Sequence, residues 1–249
     1  MTASKKRIVI VGATSLIAIH CARLWLQSGV AELILLGRDA QKTQELADDL
    51  TVRSPQTLVQ VITLNFMDAA AIASTVKAIC TLGPVDSVLI AHGSLPEQAA
   101  CQHELAMAKE ALEINGISPV LFAEAFAAQM AAVNRGTLAL IGSVAGDRGR
   151  KSNYVYGAAK GLVTRYAQGL QHRLAQSKVR VVLIKPGPTA TPMTAHLPQR
   201  GLASPEQVAL RIVAGMAAGK PVIYAPPKWA LIMMVIRHLP GFVFNKLDI

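Results

Sequence analysis

Short apolar runs alternate with longer stretches of helical periodicity along most of the chain. Strands are predicted over residues 7–12, 32–36, 58–64, 87–91, 137–142, 179–185 and 221–225. Helices are predicted between them, over residues 16–28, 39–52, 68–82 and 106–133 and around Tyr156. The strand segments are continuously apolar, which is typical of strands covered by helices on both faces. We therefore predict an α/β fold with one doubly wound, mostly parallel central sheet flanked by helices on both faces.

Length and composition favour a single domain. At 249 residues the chain fits one α/β domain, and a hydrophobic content of 52% with a mean hydropathy of +0.37 provides a large core. No internal repeat or low-complexity linker divides the chain. We predict one domain over residues 1–225, followed by an apolar and basic tail over residues 226–249.

The three cysteines, Cys21, Cys80 and Cys101, show neither a CxxC motif nor a Cys/His spacing suited to a metal. Their odd number, in a chain without a recognisable secretory signal, favours reduced thiols in a cytoplasmic protein. We expect unreactive thiols and no metal site.

The chain is strongly basic, with a formal net charge of +10. Aromatic residues make up only 4% of it and no basic stripe is interleaved with them, which argues against a nucleic-acid partner. A phosphorylated cofactor, an anionic substrate or an acidic membrane surface accounts better for the charge. The densest basic run, residues 148–151, lies between Ser143 and Tyr156, although solvated loop charge is the alternative interpretation.

The most specific chemical pattern is Ser143 followed by Tyr156-x-x-x-Lys160. Residues four apart share a helix face, so Lys160 is expected beside the Tyr156 ring, where a positive charge lowers the pKa of the phenol. Ser143 follows a predicted strand, and its hydroxyl should project from the carboxyl end. These groups suit proton transfer to a carbonyl or alcohol oxygen while hydride moves at the carbon.

A candidate dinucleotide phosphate site follows the first strand. Gly12 opens a turn that leads directly into the first helix, and free backbone N–H groups at a helix N-terminus bind phosphate. The expected contacts are Gly12, Thr14, Ser15, Leu16 and Ile17. Only one of the usual glycines is present, so the strand–turn–helix order carries this prediction.

The tip of the second strand indicates which dinucleotide binds. A carboxylate there would hold the ribose hydroxyls of NAD, whereas this chain has Gly37 followed by Arg38. Gly37 leaves room and Arg38 offers a guanidinium to a 2′-phosphate, so NADP(H) is favoured over NAD. The alternative is a surface arginine beside Asp39, an ordinary helix cap.

A Pro/Gly turn follows the strand at residues 179–185. It presents backbone groups toward a nicotinamide amide, and its threonines can reach the phosphates, although the segment could also be only a turn. The expected contacts are Pro186, Gly187, Thr189 and Thr191. Residues 190–204 are the predicted substrate-covering lid.

With these residues placed, the chain resembles the short-chain dehydrogenase/reductase family over residues 7–225. Asn115 on the long helix completes the match to Ser143, Tyr156 and Lys160. The resemblance implies a Rossmann-type domain that binds the dinucleotide and carries out catalysis. It also implies that the serine orients the substrate oxygen, the tyrosine is the acid/base, the lysine binds ribose and tunes the tyrosine, and the asparagine holds a water relay.

Three departures from the family pattern stand out. The glycine-rich loop has Leu16 and Ala18 where the family usually has glycine, and Asn65 stands at the usual adenine-contacting aspartate. The family's Asn-Asn-Ala-Gly segment reads Ile-Ala-His-Gly, so His92 is interpreted as a structural replacement and not as a new catalyst. The resemblance adds Asn65, Phe66, Ala91, His92 and Gly93 to the expected cofactor contacts.

The function implied is interconversion of a ketone and a secondary alcohol with NADP(H). Residues 12–18 and the tail also resemble the bacterial subgroup containing the ketoreductase partner of decaprenylphosphoryl-ribose 2′-epimerase, which implies a lipid-linked keto-sugar substrate. Reduction of a soluble ketone or a 3-oxoacyl thioester is the alternative within the enzyme class. A non-catalytic NADP-binding subunit is the alternative outside it.

The tail contains an uninterrupted apolar stretch of only eight residues, 229–236, too short to span a bilayer. Lys228, Arg237, His238 and Lys246 flank apolar and aromatic residues, as in segments that lie in a membrane interface. Peripheral contact with the inner face of the membrane is one expectation, and packing on the domain or on a partner subunit is the other. Alanine-rich helices near Asn115 and Tyr156 suit either homo-oligomer contacts or the core.

Overall fold

The computed structural model describes residues 6–196 and 198–247. Within them seven strands form one sheet in the order β3-β2-β1-β4-β5-β6-β7, and every pairing is parallel. The strands are β1 (Arg7–Val11), β2 (Glu32–Gly37), β3 (Leu58–Thr63), β4 (Ser87–Ile90), β5 (Gly136–Ile141), β6 (Val179–Pro186) and β7 (Val222–Ala225). The predicted α/β class and doubly wound sheet are confirmed.

Helices connect the strands and extend beyond the last one. They are α1 (Leu16–Gln27), α2 (Ala40–Arg53), α3 (Ala69–Thr81), α4 (Gln98–His103), α5 (Leu105–Leu112), α6 (Ser118–Ala132), α7 (Tyr154–Arg173), α8 (Pro205–Ala217), α9 (Lys228–His238) and α10 (Gly241–Phe244). The single helix predicted over residues 106–133 is divided by a π-helical turn, Glu113–Ile117.

The sheet separates two apolar layers because successive strand side chains point to opposite faces. Ile8 and Ile10 of β1 pack with residues of α1, α2 and α8 on one face. Val9 and Val11 pack with residues of α3, α6 and α7 on the other face. Full burial of one such side chain stabilises the fold by about 1.5–3 kcal/mol, which explains why these strands tolerate no polar face.

By length and composition, the helical stretch Leu105–Ala132 could cross a membrane. In the folded domain half of its most apolar window is buried, and Phe122 and Phe126 lie fully inside the core. The apolar character of this stretch therefore follows from its place between the sheet and α3.

Strand order positions the candidate site. β1 lies between β2 and β4, so the chain reverses its direction of travel across the sheet at this point. The carboxyl ends of β1, β4, β5 and β6 consequently meet along one edge, where ligands of doubly wound sheets bind. Gly12, Ala91 and Gly187 immediately follow β1, β4 and β6, and Ser143 lies two residues after the end of β5.

Candidate active site

Tyr156 and Lys160 lie one turn apart near the beginning of α7. The ammonium of Lys160 is 5.7 Å from the centroid of the Tyr156 ring and donates to the backbone oxygen of Ile141 at 3.1 Å. Lys160 is only 3% exposed, and Ser143, two residues after the end of β5, is 9% exposed. The Ser143 hydroxyl accepts from the backbone N–H of Ala145 at 3.1 Å, which fixes its orientation.

The pKa values of this pair differ from the expectation. Burial raises the pKa of Tyr156 to about 12, although its hydrogen bond with Ser143 acts in the opposite direction. Burial also lowers the pKa of Lys160 to about 8. The expected lowering of the tyrosine pKa is wrong for this structure because loss of solvation outweighs the hydrogen bond with Ser143. At neutral pH the phenol is therefore protonated and the lysine charged.

Asn115 lies inside the π-helical turn and is fully buried. Its side-chain oxygen accepts from the backbone N–H of Ser94 at 2.9 Å, and its side-chain nitrogen donates to the Ala111 carbonyl at 3.0 Å. A Cβ built on Gly93 would lie 2.8 Å from the Asn115 oxygen and 3.5 Å from the Lys160 ammonium. Because Gly93 has no side chain, the Asn115 oxygen and the Lys160 ammonium can both lie close to its backbone.

The turn after β1 requires glycine at its first position. Gly12 has a φ of +78°, and a Cβ there would lie 2.6 Å from the backbone nitrogen of His92. The N–H groups of Gly12 and Ala13 donate to the Leu36 carbonyl at 2.9 and 3.1 Å. α1 then begins without a side-chain cap, so its first backbone N–H groups face the cavity as donors for an anion.

The tip of β2 combines a helix cap with an unpartnered cation. Asp39 accepts from the backbone N–H of Lys42 at 3.0 Å and caps α2. Arg38 is exposed and, within the residues described, its side chain makes no hydrogen bond or ion pair. The expected space beside Gly37 is filled: a Cβ there would lie 1.9 Å from the Thr43 hydroxyl. Gly37 therefore serves the packing of α2.

His92 behaves as a packed structural residue. Its ring contacts Phe66 and Phe122 edge-to-face at centroid distances of 4.9 and 5.7 Å, and its Nε2 lies 2.9 Å from the Ser118 hydroxyl. Burial, reinforced by the charges of Lys160 and Arg38, lowers the pKa of His92 to about 3. Its Nδ1 is buried with no hydrogen-bond partner among the described residues. His92 is consequently a neutral wall of the cavity.

The turn after β6 is covered by α9 of the tail. A Cβ on Gly187 would lie 1.9 Å from the Trp229 indole nitrogen, so α9 packs directly on this turn. Thr189 is buried and donates to the Gly187 carbonyl at 2.9 Å. The predicted lid carries one 3₁₀ turn, Pro192–Thr194, whose Met193 borders the cavity, and Leu197 lies outside the described residues.

One cavity of about 780 Å³ joins these features. Ser143, Tyr156 and Lys160 border it together with every predicted cofactor contact except Asn65. Asn65 is exposed, and its side chain accepts from the backbone N–H of Met67 at 2.9 Å, which forms a local turn. The structure therefore places Asn65 outside the cavity and Asn115 behind it. Met193 of the predicted lid also borders the cavity, together with residues that the sequence analysis did not assign to the site, among them Leu95, Val144, Arg150 and Asn153.

A buried polar network supports the loop after Ser143. Lys185 and Asp147 form an ion pair with side chains 4% and 2% exposed, and the Tyr224 hydroxyl donates to Asp147 at 2.9 Å. Arg148 donates to the Ile236 and Leu239 carbonyls, both at 2.6 Å, at the end of α9. The loop after Ser143 is thereby held against β6, β7 and the tail, and no local sequence pattern indicated this pairing.

Comparisons with known proteins agree with this fold. The family model of the short chain dehydrogenase matches residues 6–201. An uncharacterized oxidoreductase of Mycobacterium tuberculosis (strain ATCC 25618 / H37Rv) is 32% identical over 247 residues, covering 96% of each chain. An uncharacterized oxidoreductase of Streptomyces coelicolor is 27% identical over 242 residues, covering 97% of this chain and 96% of the relative.

Solved structures show the same architecture. A short chain dehydrogenase from Burkholderia cenocepacia J2315 in complex with NADP has a TM-score of 0.83 at 17% identity, covering 100% of both chains. A short-chain dehydrogenase from Sphingobium yanoikuyae in complex with NADPH has a TM-score of 0.82 at 20% identity, covering 98% of this chain and 96% of the other.

Fold, family match and relatives lead to one conclusion about class. The chain belongs to the short-chain dehydrogenase family, and it is an oxidoreductase with a Rossmann-type fold. The predicted family resemblance is confirmed.

Proposed function

We propose that this protein is an NADP(H)-dependent oxidoreductase that interconverts a ketone and a secondary alcohol. The observation that carries the proposal is the single cavity shared by Ser143, Tyr156 and Lys160 with the Gly12 turn and Arg38. A proton donor, an oxygen-binding hydroxyl and a dinucleotide-sized groove are thereby brought together at one sheet edge.

The residues fit a dinucleotide. The Gly12 turn and the open N-terminus of α1 supply donors for the pyrophosphate, and Lys160 would hold the nicotinamide-side ribose. Pro186, Gly187, Thr189 and Thr191 would flank the nicotinamide. The bound cofactor supplies or accepts the hydride, and the protein supplies binding, orientation and proton transfer.

Arg38 supports NADP(H) over NAD. Its exposed guanidinium, at the tip of β2, has no partner in the part of the chain that the structure describes and suits a 2′-phosphate. Asp39, which could have gripped ribose hydroxyls, is engaged in capping α2. Two structural neighbours, those from Burkholderia and Sphingobium, were solved with NADP and NADPH, which supports the same choice.

In the reducing direction, the protonated phenol of Tyr156 donates to the carbonyl oxygen as negative charge develops on it. The Ser143 hydroxyl donates a hydrogen bond to the same oxygen and holds the carbonyl in place. The charged Lys160 stabilises the phenolate left behind. Asn115 holds the Ser94 and Gly93 backbone against Lys160 and keeps the ammonium beside the ring.

The experiment is oxidation of NADPH against a panel of sugar, acyl and steroid ketones, with and without detergent or lipid. Turnover of any member with NADPH, and much slower turnover with NADH, is the expected result. Tight NADPH binding without oxidation across the whole panel, in either direction of the reaction, would instead identify a non-catalytic NADP-binding subunit.

For the substrate we propose a lipid-linked keto-sugar, with a soluble ketone or 3-oxoacyl thioester as the alternative. The tail supports this choice because α9 and α10 leave large apolar side chains exposed beside Lys228, Arg237 and Lys246. These exposed apolar residues are Leu231, Ile232, Met234, Val235, Phe242 and Leu247. Such a surface suits peripheral contact with anionic lipid at the inner face of the membrane, in a cytoplasmic protein.

Removing the whole tail is an unsuitable test, since Trp229 covers Gly187 and Arg148 binds the end of α9. A Leu231→Ser, Phe242→Ser variant changes only exposed positions. We expect it to lose sedimentation with anionic vesicles and turnover of lipid-linked substrate while it keeps turnover of soluble ketones. Unchanged sedimentation would contradict membrane contact through the tail.

We also propose a homo-oligomer. Apolar side chains near Asn115 and Tyr156 stay exposed on the helical surface, among them Leu112, Ile117 and Leu162. Light scattering after size-exclusion chromatography should give a mass that is a multiple of 26.4 kDa. A single protomer mass at micromolar concentration would contradict it.

A further inference from the structure

Arg150 is a half-buried cation at the cavity wall, and its side chain has no partner among the described residues. It lies in the loop between Ser143 and α7 and borders the same cavity as Ser143 and Tyr156. Its Nε is buried without a hydrogen-bond partner, and within residues 6–196 and 198–247 its guanidinium forms no ion pair. A guanidinium nitrogen that is shielded from water and lacks an acceptor is unfavourable, and an anionic ligand in the cavity would supply the missing acceptor and counter-charge.

Arg148, two residues earlier, provides the contrast. Its guanidinium donates to two carbonyls at the end of α9 and stacks on the Phe244 ring at 3.9 Å. Arg7, which is deeply buried, donates to Glu32 and to the carbonyls of Ile79 and Gly83. These two arginines have structural partners, whereas Arg150 has none among the residues that the structure describes.

Asn153 adds a second unsatisfied polar group at the same place. Its side-chain oxygen is buried without a partner among the described residues, and the side chain does not cap α7. Its backbone N–H donates to the Arg150 carbonyl at 3.1 Å, so a single tight turn holds both residues beside the cavity. Because an amide can be assigned in either orientation, Asn153 can donate to an anion there.

The charges around the cavity leave this position free for an anion. Asp39 is the only acidic residue among the described residues that border it, and Asp39 caps α2 at the adenosine end. Asp147, near Arg150 in the chain, is committed to Lys185 and Tyr224. Burial lowers the pKa of Arg150 because partial loss of hydration disfavours its charged form.

We propose that Arg150, assisted by Asn153, binds an anionic group of the substrate, so that the substrate is a ketone or secondary alcohol carrying a carboxylate or phosphate. The inference rests on the proposed function and names the substrate class of that site. Arg150 lies seven residues after Ser143 and six before Tyr156. The anion would therefore anchor the substrate while these two residues hold its oxygen, with Leu95, Val144 and Met193 as the apolar wall.

The experiment compares charged and neutral forms of the same ketones. The probes are 4-oxopentanoate with its methyl ester, and dihydroxyacetone phosphate with dihydroxyacetone. We expect wild-type kcat/KM to favour the anionic member of at least one pair by about 10–100-fold, the range expected for charge-assisted hydrogen bonds. Preference within the carboxylate pair or within the phosphate pair identifies the anion.

Two variants locate the effect. Arg150→Met should abolish the preference by raising KM for the anionic ketone, with activity on the neutral ketone and NADPH affinity unchanged, and Arg150→Lys should restore part of it. Arg165→Met, an exposed change on α7, is the matched control and should behave as wild type. Equal losses on neutral and anionic ketones, or weaker NADPH binding in Arg150→Met, would overturn the proposal.

A binding measurement separates this inference from the proposed function. In the presence of NADPH, the preferred anionic ketone should raise the melting temperature of wild type and leave that of Arg150→Met unchanged. Turnover of neutral ketones without any such shift or preference would overturn the anion site alone. Absence of turnover on every ketone with a persistent Arg150-dependent shift would overturn the proposed function alone.

Discussion

The two ends of the cavity are built differently. At the catalytic end, Asn115, Ser143 and Lys160 are buried and held by hydrogen bonds within the protein. At the adenosine end, Arg38 is exposed and its side chain has no partner among the described residues. The proposed catalytic groups are thus positioned by the fold itself, whereas the Arg38 guanidinium would gain its partner from a bound ligand. Changes at the first end should affect turnover, and changes at the second should affect affinity.

The largest expected effect is that of Lys160→Met. Without the ammonium the phenolate is not stabilised, and we expect kcat to fall about 10²–10⁴-fold, the range for acid–base groups. Because the folded-state pKa of Lys160 is about 8, below its reference of 10.5, the charged lysine destabilises the folded state below pH 8. The melting temperature of the variant should therefore be unchanged or higher. Lys77→Met, at an exposed position of α3, is the control, and a wild-type kcat in Lys160→Met would contradict the account.

Asp147→Ala tests the support behind the catalytic loop. It leaves Lys185 buried without its partner, and we expect a loss of about 3–5 kcal/mol in the free energy of unfolding. Arg53→Ala removes an exposed pair with Asp49 and should cost less than about 1 kcal/mol. Denaturant unfolding measures both changes. Similar small losses in the two variants would show that the buried network does not hold the loop.

Arg38→Ala tests the adenosine end. Loss of its hydrogen bonds to a 2′-phosphate should weaken NADPH binding about 10–100-fold, while NADH binding stays the same. Titration of each cofactor by fluorescence measures the ratio. An equal loss for both cofactors would mean that Arg38 supports the fold or the pyrophosphate and does not select the cofactor.

The smallest expected effect is a change with pH. Since the pKa of Lys160 is about 8, its charge is lost as the pH rises through that value, and reductase kcat/KM should decline there. Tyr156, with a pKa of about 12, stays protonated over this range and adds no second step. The decline should be absent from the residual activity of Lys160→Met. A flat profile up to pH 9.5 in wild type would contradict the assignment.

The strands and the catalytic pattern could be predicted from the sequence because each rests on local information. Continuous apolar runs defined every strand to within two residues, and the spacing of Tyr156 and Lys160 is one helical turn. The helix α8 was missed although Ser204 followed by Pro205 is a helix-start signal, and Ser204 does cap it. The predicted lid ends at Ser204, and the sequence analysis assigns no element to residues 205–217.

The remaining features depend on contacts distant in sequence. The pKa of Tyr156 depends on burial beneath several elements, so a lysine four residues away was insufficient to predict its direction. The role of Gly37 depends on how closely Thr43 of α2 approaches it. The difference between Arg148, which donates to a carbonyl of α9, and Arg150, whose Nε has no partner among the described residues, depends on where the tail packs. The basic run in which both lie does not distinguish them.

The most direct measurement is turnover and NADPH affinity of Tyr156→Phe with a ketone that wild type reduces. Loss of the phenol oxygen removes the proton donor and leaves the ring and Lys160 in place. The predicted result is a fall in kcat of at least about 10²-fold with NADPH affinity within about twofold of wild type. Wild-type turnover by Tyr156→Phe would contradict the claim that this buried phenol donates the proton.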